Sequence, residues 1–287
     1  SGDQVWFSQG NLQYQASTNT WRFAENQWDY VGGTDIYGVD HPGTVFGSSN
    51  NEVSPTYNGW IDLFCWGTSG WNCGNTYYQP WDAEWNDEYG SEYGPPGNYN
   101  LTGNYANSDW GYYNAISNGG NHIQQWRTLM REEWYYVFYT RTASTLNGVQ
   151  NARYAKAIIN EVSGVILFPD NYTHPSSINL PIGINNPESP YSSNNYSGST
   201  WSIMEASGVV FFPAAGSRSY NTTGIQYNLL DYSNNPAGYY KSASYRTTQQ
   251  LYYSYCMGLW NTSMFSDNFS CLRNSGGSVR LVQDYNR

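Results

Sequence analysis

At 287 residues with a formal net charge of −10, the chain carries charged side chains at only 12% of its positions and aromatic ones at 18%. So many rings exclude a disordered chain, which would leave them in water, and no apolar run approaches the roughly 18 residues of a membrane span. The acidic balance excludes a non-specific nucleic-acid binder, which needs a basic face to displace counterions. With 29 Tyr, 13 Trp and 33 Asn, the composition points to a secreted or surface protein, so an extracellular or cell-surface location is expected.

Val5-Trp6-Phe7 and Asn11-Leu12-Gln13-Tyr14 read as an opening strand pair, which Trp21-Arg22-Phe23 continues. Ser1-Gly2-Asp3 ahead of them reads as a mature start or a tag remnant. Residues 32–58 are polar and rich in Gly and Ser, a surface loop, before Trp60-Ile61-Asp62-Leu63-Phe64 restores apolar character. Residues 81–97 hold five carboxylates (Asp82, Glu84, Asp87, Glu88, Glu92) and no basic side chain, a second loop ending in Pro95-Pro96-Gly97.

Met130, Trp134, Val137 and Phe138 recur at helical spacing and predict a helix over 130–140. Glu132 and Glu133 fall in its first turn, where carboxylates favour the dipole. Gly164-Val-Ile-Leu-Phe-Pro169 and Gly208-Val-Val-Phe-Phe-Pro213 are near-copies, apolar on both faces and so expected in the middle of a sheet. Residues 170–200 read as loop. Beyond Ala237 a Tyr-rich alternating tract runs to Ser278-Val-Arg-Leu-Val282, the expected last strand. No charge break or low-complexity linker divides the chain, so a single domain over 5–285 with long loops is the simplest organisation.

Cys65, Cys73, Cys256 and Cys271 form no CxxC pair and have no His at zinc-finger spacing, so no structural zinc site is expected. A Cys65–Cys73 bridge and buried thiols both stay open. Sequons occur at Asn100, Asn171, Asn195, Asn221, Asn261 and Asn268, and weigh little in so Asn-rich a chain.

Catalytic signatures are missing from the sequence. His41, His122 and His174 make no HExxH or paired spacing, and no GxSxG, P-loop or GxGxxG occurs. Glu132 and Glu133 are neighbours on a helix and diverge. The acidic stretch 82–92, with Asn86, is where Ca²⁺ or a glycosidic bond between two carboxylates would fit. It lacks the Asp-x-Asp-x-Asp-Gly spacing, and a solvated loop is the plainer reading. No catalytic residue, metal or cofactor is therefore assigned.

The strings Trp6-Phe-Ser-Gln-Gly-Asn-Leu-Gln-Tyr14, Asp62-Leu-Phe-Cys-Trp-Gly-Thr-Ser-Gly70, Asp109-Trp-Gly-Tyr-Tyr-Asn-Ala-Ile-Ser-Asn-Gly-Gly120, Phe212-Pro-Ala-Ala-Gly-Ser-Arg218 and Gly277-Ser-Val-Arg-Leu-Val282 resemble a family of gut-bacterial surface and phage-associated proteins. Their domain is C-type-lectin-like and related to the formylglycine-generating enzyme fold. Arg127-Thr-Leu-Met-Arg-Glu-Glu-Trp-Tyr-Tyr136 is similar to the Arg-Leu-Pro-Thr-Glu-x-Glu-Trp-Glu-Tyr motif of that superfamily. The resemblance spans about residues 5–285 and implies an α+β, C-type-lectin-like fold with long loop insertions.

Some members are variable proteins of diversity-generating retroelements, whose C-terminal repeat forms a ligand-binding surface on a fixed scaffold. Here the tract 239–275 lies where that repeat would, with Lys241 in the Trp slot of Tyr239-Tyr-Lys-Ser-Ala-Ser-Tyr245. Formylglycine-generating enzymes need a closely spaced C-terminal cysteine pair for copper, whereas Cys256 and Cys271 stand fifteen apart, so that activity is not expected.

The residues support a binding role independently. The tract holds nine aromatics in 37 residues and carries Lys241, Arg246 and Arg273 against Asp267. Tyr, Ser, Asn and Arg mixed in loops is paratope composition, while an ordinary Tyr-rich hairpin is the plainer alternative. The expectation is a non-enzymatic adhesin or receptor-binding domain. Tyr240, Tyr245, Tyr253, Tyr255, Trp260 and Phe269 would anchor an unknown protein or glycan, with Arg246, Asn261, Asp267, Asn268 and Asn274 setting specificity. Strand parity across 251–257 leaves open whether Tyr252/Ser254 or Tyr253/Tyr255 face outward. Two alternatives are a carbohydrate-binding module or glycan-active enzyme using Trp81, Trp85 and the acidic loop, and a structural surface-protein domain.

Overall fold

The computed structural model describes residues 4–52, 54–71, 79–83, 93–221, 224–247, 252–265 and 268–285. These form several mixed sheets joined by long loops and a few short helices, an α+β or mostly β arrangement. No helix among the described residues is long and apolar enough to cross a membrane.

The largest sheet runs in the order Ser263–Phe265, Tyr252–Trp260, Gly238–Thr247, Gly277–Ser278, Leu63–Phe64, with Ser270–Leu272 also pairing with Tyr252–Trp260. Its centre is the antiparallel hairpin of Gly238–Thr247 and Tyr252–Trp260. The register jumps between the pairs Lys241↔Cys256 and Tyr245↔Ser254, so Ser242, Ala243 and Ser244 lie opposite Tyr255 alone. Loops take up the freed backbone groups: the Trp66 indole donates to Ser242 O at 2.9 Å, Leu101 N to Ala243 O at 2.9 Å, and Ala243 N to Leu129 O at 2.9 Å. Cys256 and Cys271 are joined in a disulfide between the hairpin and its neighbouring strand.

A four-stranded sheet orders Asn195–Tyr196, Tyr154–Ile159, Val162–Leu167, Val210–Pro213. Val162–Leu167 is central as expected, but Val210–Pro213 is an edge. Its apolar character on both sides has another cause. Phe211 packs edge-on against Trp201 of the helix Gly198–Glu205, and Phe212 against Trp134 and Tyr240. That helix begins inside the stretch read as loop. Ser197 caps it by accepting from Thr200 N at 3.2 Å, yet only Trp201 and Met204 of its side chains are buried, too few to show a stripe.

The opening strands also pair differently. Val5–Phe7 lies against Leu281–Asp284, while Leu12–Gln15 pairs with Thr20–Phe23. The predicted helix forms as Arg131–Tyr135 and continues as a π-helical turn over Tyr136–Thr140. Trp134, Val137 and Phe138 are buried as the stripe requires, and Met130 is half-buried. Glu133 accepts from Met130 N at 2.7 Å and holds both outer nitrogens of Arg127, which also binds Asp284 at 2.8 Å. The helix start is thereby tied to the last strand.

Half of the chain's 12 basic residues are interior: Arg141, Lys156, Arg218, Lys241, Arg273 and Arg280. A buried charge needs partners, and here they are mostly loop carbonyls. Arg273 donates to Pro95 O at 2.9 Å and Gly97 O at 2.7 Å, and Arg218 to Asp82 O at 2.7 Å. Lys241, in the slot where the resembling family has Trp, is fully buried beside Gly277 and reaches Leu272 O at 3.4 Å. In a loop-rich protein these cations pin irregular backbone that no ladder satisfies.

Candidate ligand-binding surface

The hairpin inherits two environments from its alternation. Tyr240, Met257 and Leu259 face the interior cluster that also contains Trp134, Phe138 and Phe212. Tyr240 is 0% exposed, and its hydroxyl donates to Pro213 O at 2.9 Å and accepts from Asn11 Nδ2 at 3.2 Å. Its expected role as a ligand anchor is therefore wrong: the register places it on the core side.

On the other side, Tyr239 stands opposite Gly258, and an aromatic platform forms there. Phe269 stacks on Tyr239 with centroids 5.8 Å apart and planes at 21°, and on Phe265 at 5.7 Å and 22°. Trp260 meets Phe265 edge-on at 5.4 Å and Phe269 at 5.8 Å. Tyr232, 99% exposed, adds its ring edge to Trp260 at 6.5 Å. Gly258 lets the rings lie close over the strand at the platform's base, since a Cβ there would come within 3.3 Å of Phe269 and 3.6 Å of Phe265. Burial raises the Tyr239 phenol above its ordinary pKa, so it is neutral at pH 7.

The turn after Trp260 is clamped from below. Lys156, wholly buried in Tyr154–Ile159, donates to the carbonyls of Trp260 at 2.7 Å, Asn261 at 3.0 Å and Ser263 at 3.2 Å, and to that of Pro187. Burial pulls this ammonium down to about 8, and the carbonyls, which need its hydrogens, oppose the loss. Asn261 is half-buried and its Oδ1 accepts from Tyr191 N at 3.0 Å, so its side chain serves the turn rather than a ligand.

A second group gathers at the opposite end of the hairpin. The guanidinium groups of Arg131 and Arg246 both lie over the Tyr255 ring, 4.6 Å and 5.5 Å from its centroid. Arg246 donates to Asn268 O and Ser270 Oγ, both at 3.1 Å, and faces Tyr253 across the ladder. The parity question resolves with cover on both sides. Ser254 is buried, while Tyr252, Tyr253 and Tyr255 are all half-buried. Tyr245 takes part in neither group, and Asn274 is half-buried with its carbonyl accepting from Cys65 Sγ at 3.2 Å. Asp267 lies outside the described residues.

Of the residues expected to bind, the structure thus unites Trp260 with Phe269, and Arg246 with Tyr253, Tyr255 and Asn268. Sequence reading missed Tyr232, Tyr239, Phe265 and Arg131. No local signal marked them: the pairing of Tyr239 with Gly258, which leaves room for further rings, is a matter of register that only the fold reveals.

Of the acidic stretch, Trp81, Asp82 and Ala83 are described: the first two give carbonyls to Arg218, while Glu84, Trp85, Asp87, Glu88 and Glu92 fall outside the described residues, as does Cys73. Cys65 is buried. Two buried carboxyls have strongly shifted pKa values. Burial raises Asp62 to about 7 and Asp109 to about 6. Asp62 accepts from Val31 N at 2.8 Å and Asn50 Nδ2 at 2.9 Å, and Asp109 from Thr128 N at 2.7 Å and Gly111 N at 3.1 Å. Both are committed to holding backbone. Among the described residues no three His, Cys, Asp or Glu side chains gather as a metal site. Scans against protein-family models, curated proteins and solved structures find no match to this chain.

Proposed function

We propose that the protein is a non-enzymatic binding domain, an adhesin or receptor-binding module at a bacterial cell surface or on a phage particle, built on a C-type-lectin-like scaffold. The observation that carries this reading is the platform of Tyr232, Tyr239, Trp260, Phe265 and Phe269, packed ring against ring yet open to water at Tyr232 and Phe265. Exposed clustered aromatics give large contact area for little lost side-chain freedom, and Trp and Tyr dominate binding hot spots. Tyr240, Met257 and Leu259 anchor the same hairpin in the core, so side chains on the platform side can differ without loosening it. In this reading the tract 239–275 is the ligand-binding region, and its outward positions are those a diversifying retroelement would exploit.

Fluorescently labelled protein mixed with intact bacterial and epithelial cells tests the proposal by flow cytometry. Binding should fall at least about tenfold when Tyr232 and Trp260 are both replaced by Ala, a loss of about 1.4 kcal/mol. Undiminished binding by the folded variant rejects the site, and no binding to any cell by the parent protein rejects the adhesin reading.

A further inference from the structure

Beside the hairpin, away from the aromatic platform, a surface cavity of about 260 Å³ opens between the segment 98–105 and Tyr245. Tyr99 and Tyr105 pair there with centroids 4.9 Å apart and planes tilted by 38°. Tyr99 is 54% exposed, so one ring braces the other while presenting apolar area to water. Asn100 Oδ1 accepts from Tyr245 N at 3.0 Å, which fixes the amide and leaves its NH₂ without an acceptor among the described residues. The hydroxyls of Tyr99, Thr102, Tyr105 and Tyr245, and the amide of Asn104, make no hydrogen bond to the described residues. The segment itself is fixed, since Leu101 is buried and its N–H binds Ala243 O at 2.9 Å.

We infer that this cavity binds a neutral sugar ring. A pyranose presents an apolar C–H face and a rim of hydroxyls that both donate and accept. The cavity offers the complement, an exposed phenol ring beside amide and hydroxyl groups of both kinds. Among the described residues no charged side chain lines it, which disfavours phosphate, sulfate and carboxylate ligands. At about 30 Å³ per water it holds about nine waters, below the ~300 Å³ at which drug-sized pockets begin. That is room for one ring. A peptide would require a longer groove or a free strand edge. The cavity shares no residue with the aromatic platform, so the two assignments stand or fall separately.

Saturation-transfer NMR with the methyl glycosides of hexoses and N-acetylhexosamines tests it. Per-atom limits on small-ligand binding put the dissociation constant at about 1 mM. Transfer to ring protons of at least one glycoside is expected. Tyr99→Ala and Asn104→Ala, at exposed positions where folding survives, should each weaken it at least about tenfold, and Trp260→Ala should leave it unchanged. No transfer from any of these glycosides at about 20 mM, some twentyfold above that constant, overturns the inference. So does transfer that persists in both Tyr99→Ala and Asn104→Ala, or that disappears in Trp260→Ala instead.

Discussion

Two aromatic clusters share one hairpin and have opposite fates. The inner one joins Phe7, Trp134, Phe138, Phe212 and Tyr240, with T-shaped contacts such as Trp134–Phe212 at 5.8 Å and Phe212–Tyr240 at 5.3 Å. The outer one joins Tyr232, Tyr239, Trp260, Phe265 and Phe269 at similar separations. Residue type does not distinguish them, and neither does ring geometry. The difference is what lies beyond the rings. The helix from Arg131 and the strand Val210–Pro213 close over the inner cluster, while solvent remains over part of the outer one. Aromatic richness alone therefore says nothing of binding, whereas rings packed together with no element closing over them do.

The contrast can be broken most directly from the inside. Trp134→Ala should cost about 3–5 kcal/mol through the cavity it leaves, read as a fall in the urea midpoint at unchanged slope. A cost below about 1 kcal/mol would mean that the inner rings are no better packed than the outer. Next comes the Cys256–Cys271 bridge, which ties the platform's strand to its neighbour across 15 residues. Replacing both cysteines by Ala should cost about 3 kcal/mol and slacken the outer cluster, while an unchanged midpoint would leave the platform held by packing alone.

Lys241 sharpens the boundary between the two sides. It directly follows Tyr239 and Tyr240 on the strand and is fully buried, and burial lowers its pKa to about 8. An unfolded lysine titrates near 10.4, so between these values the unfolded chain holds more protons and stability rises with pH. The gain from pH 7 to 9.5 should be about 2 kcal/mol larger in the parent than in Lys241→Met, which keeps the similar rise that buried Lys156 contributes, measured by urea unfolding at each pH. The same slope in both proteins would show Lys241 in contact with water. The smallest effect belongs to Tyr232→Ala, expected within ~0.5 kcal/mol of the parent because the ring is solvated on almost every side. A larger loss would make Tyr232 part of the scaffold.

Local signals carried much of the fold. The helix at Arg131 was legible because Trp134, Val137 and Phe138 repeat at helical spacing, and Val162–Leu167 because its apolar run is continuous. Tyr154–Ile159 was not legible, since Lys156 interrupts it, and nothing local shows that four carbonyls from distant loops await that ammonium. The Cys256–Cys271 pairing was equally hidden, because fifteen residues of spacing do not reveal that two strands bring them side by side. In the candidate site, composition drew attention to the tract but could not tell its two sides apart. Tyr240 and Tyr239 are adjacent and identical, and only the pairing to Met257 and Gly258 sends one inward and the other outward.

The hairpin's two arms differ in length by two residues across the jump from Lys241 to Tyr245, and a pleated strand returns to the same phase every two residues. Tyr245 consequently keeps the orientation sense that Lys241 sets, although three residues intervene on one arm and one on the other. Insertions or deletions here in even numbers would lengthen or shorten the arm without exchanging its lining for its exterior, and odd ones would turn every following side chain inside out. The hairpin is thus free to evolve in size by pairs, a tolerance set by pleat arithmetic and not by which side chains occupy it.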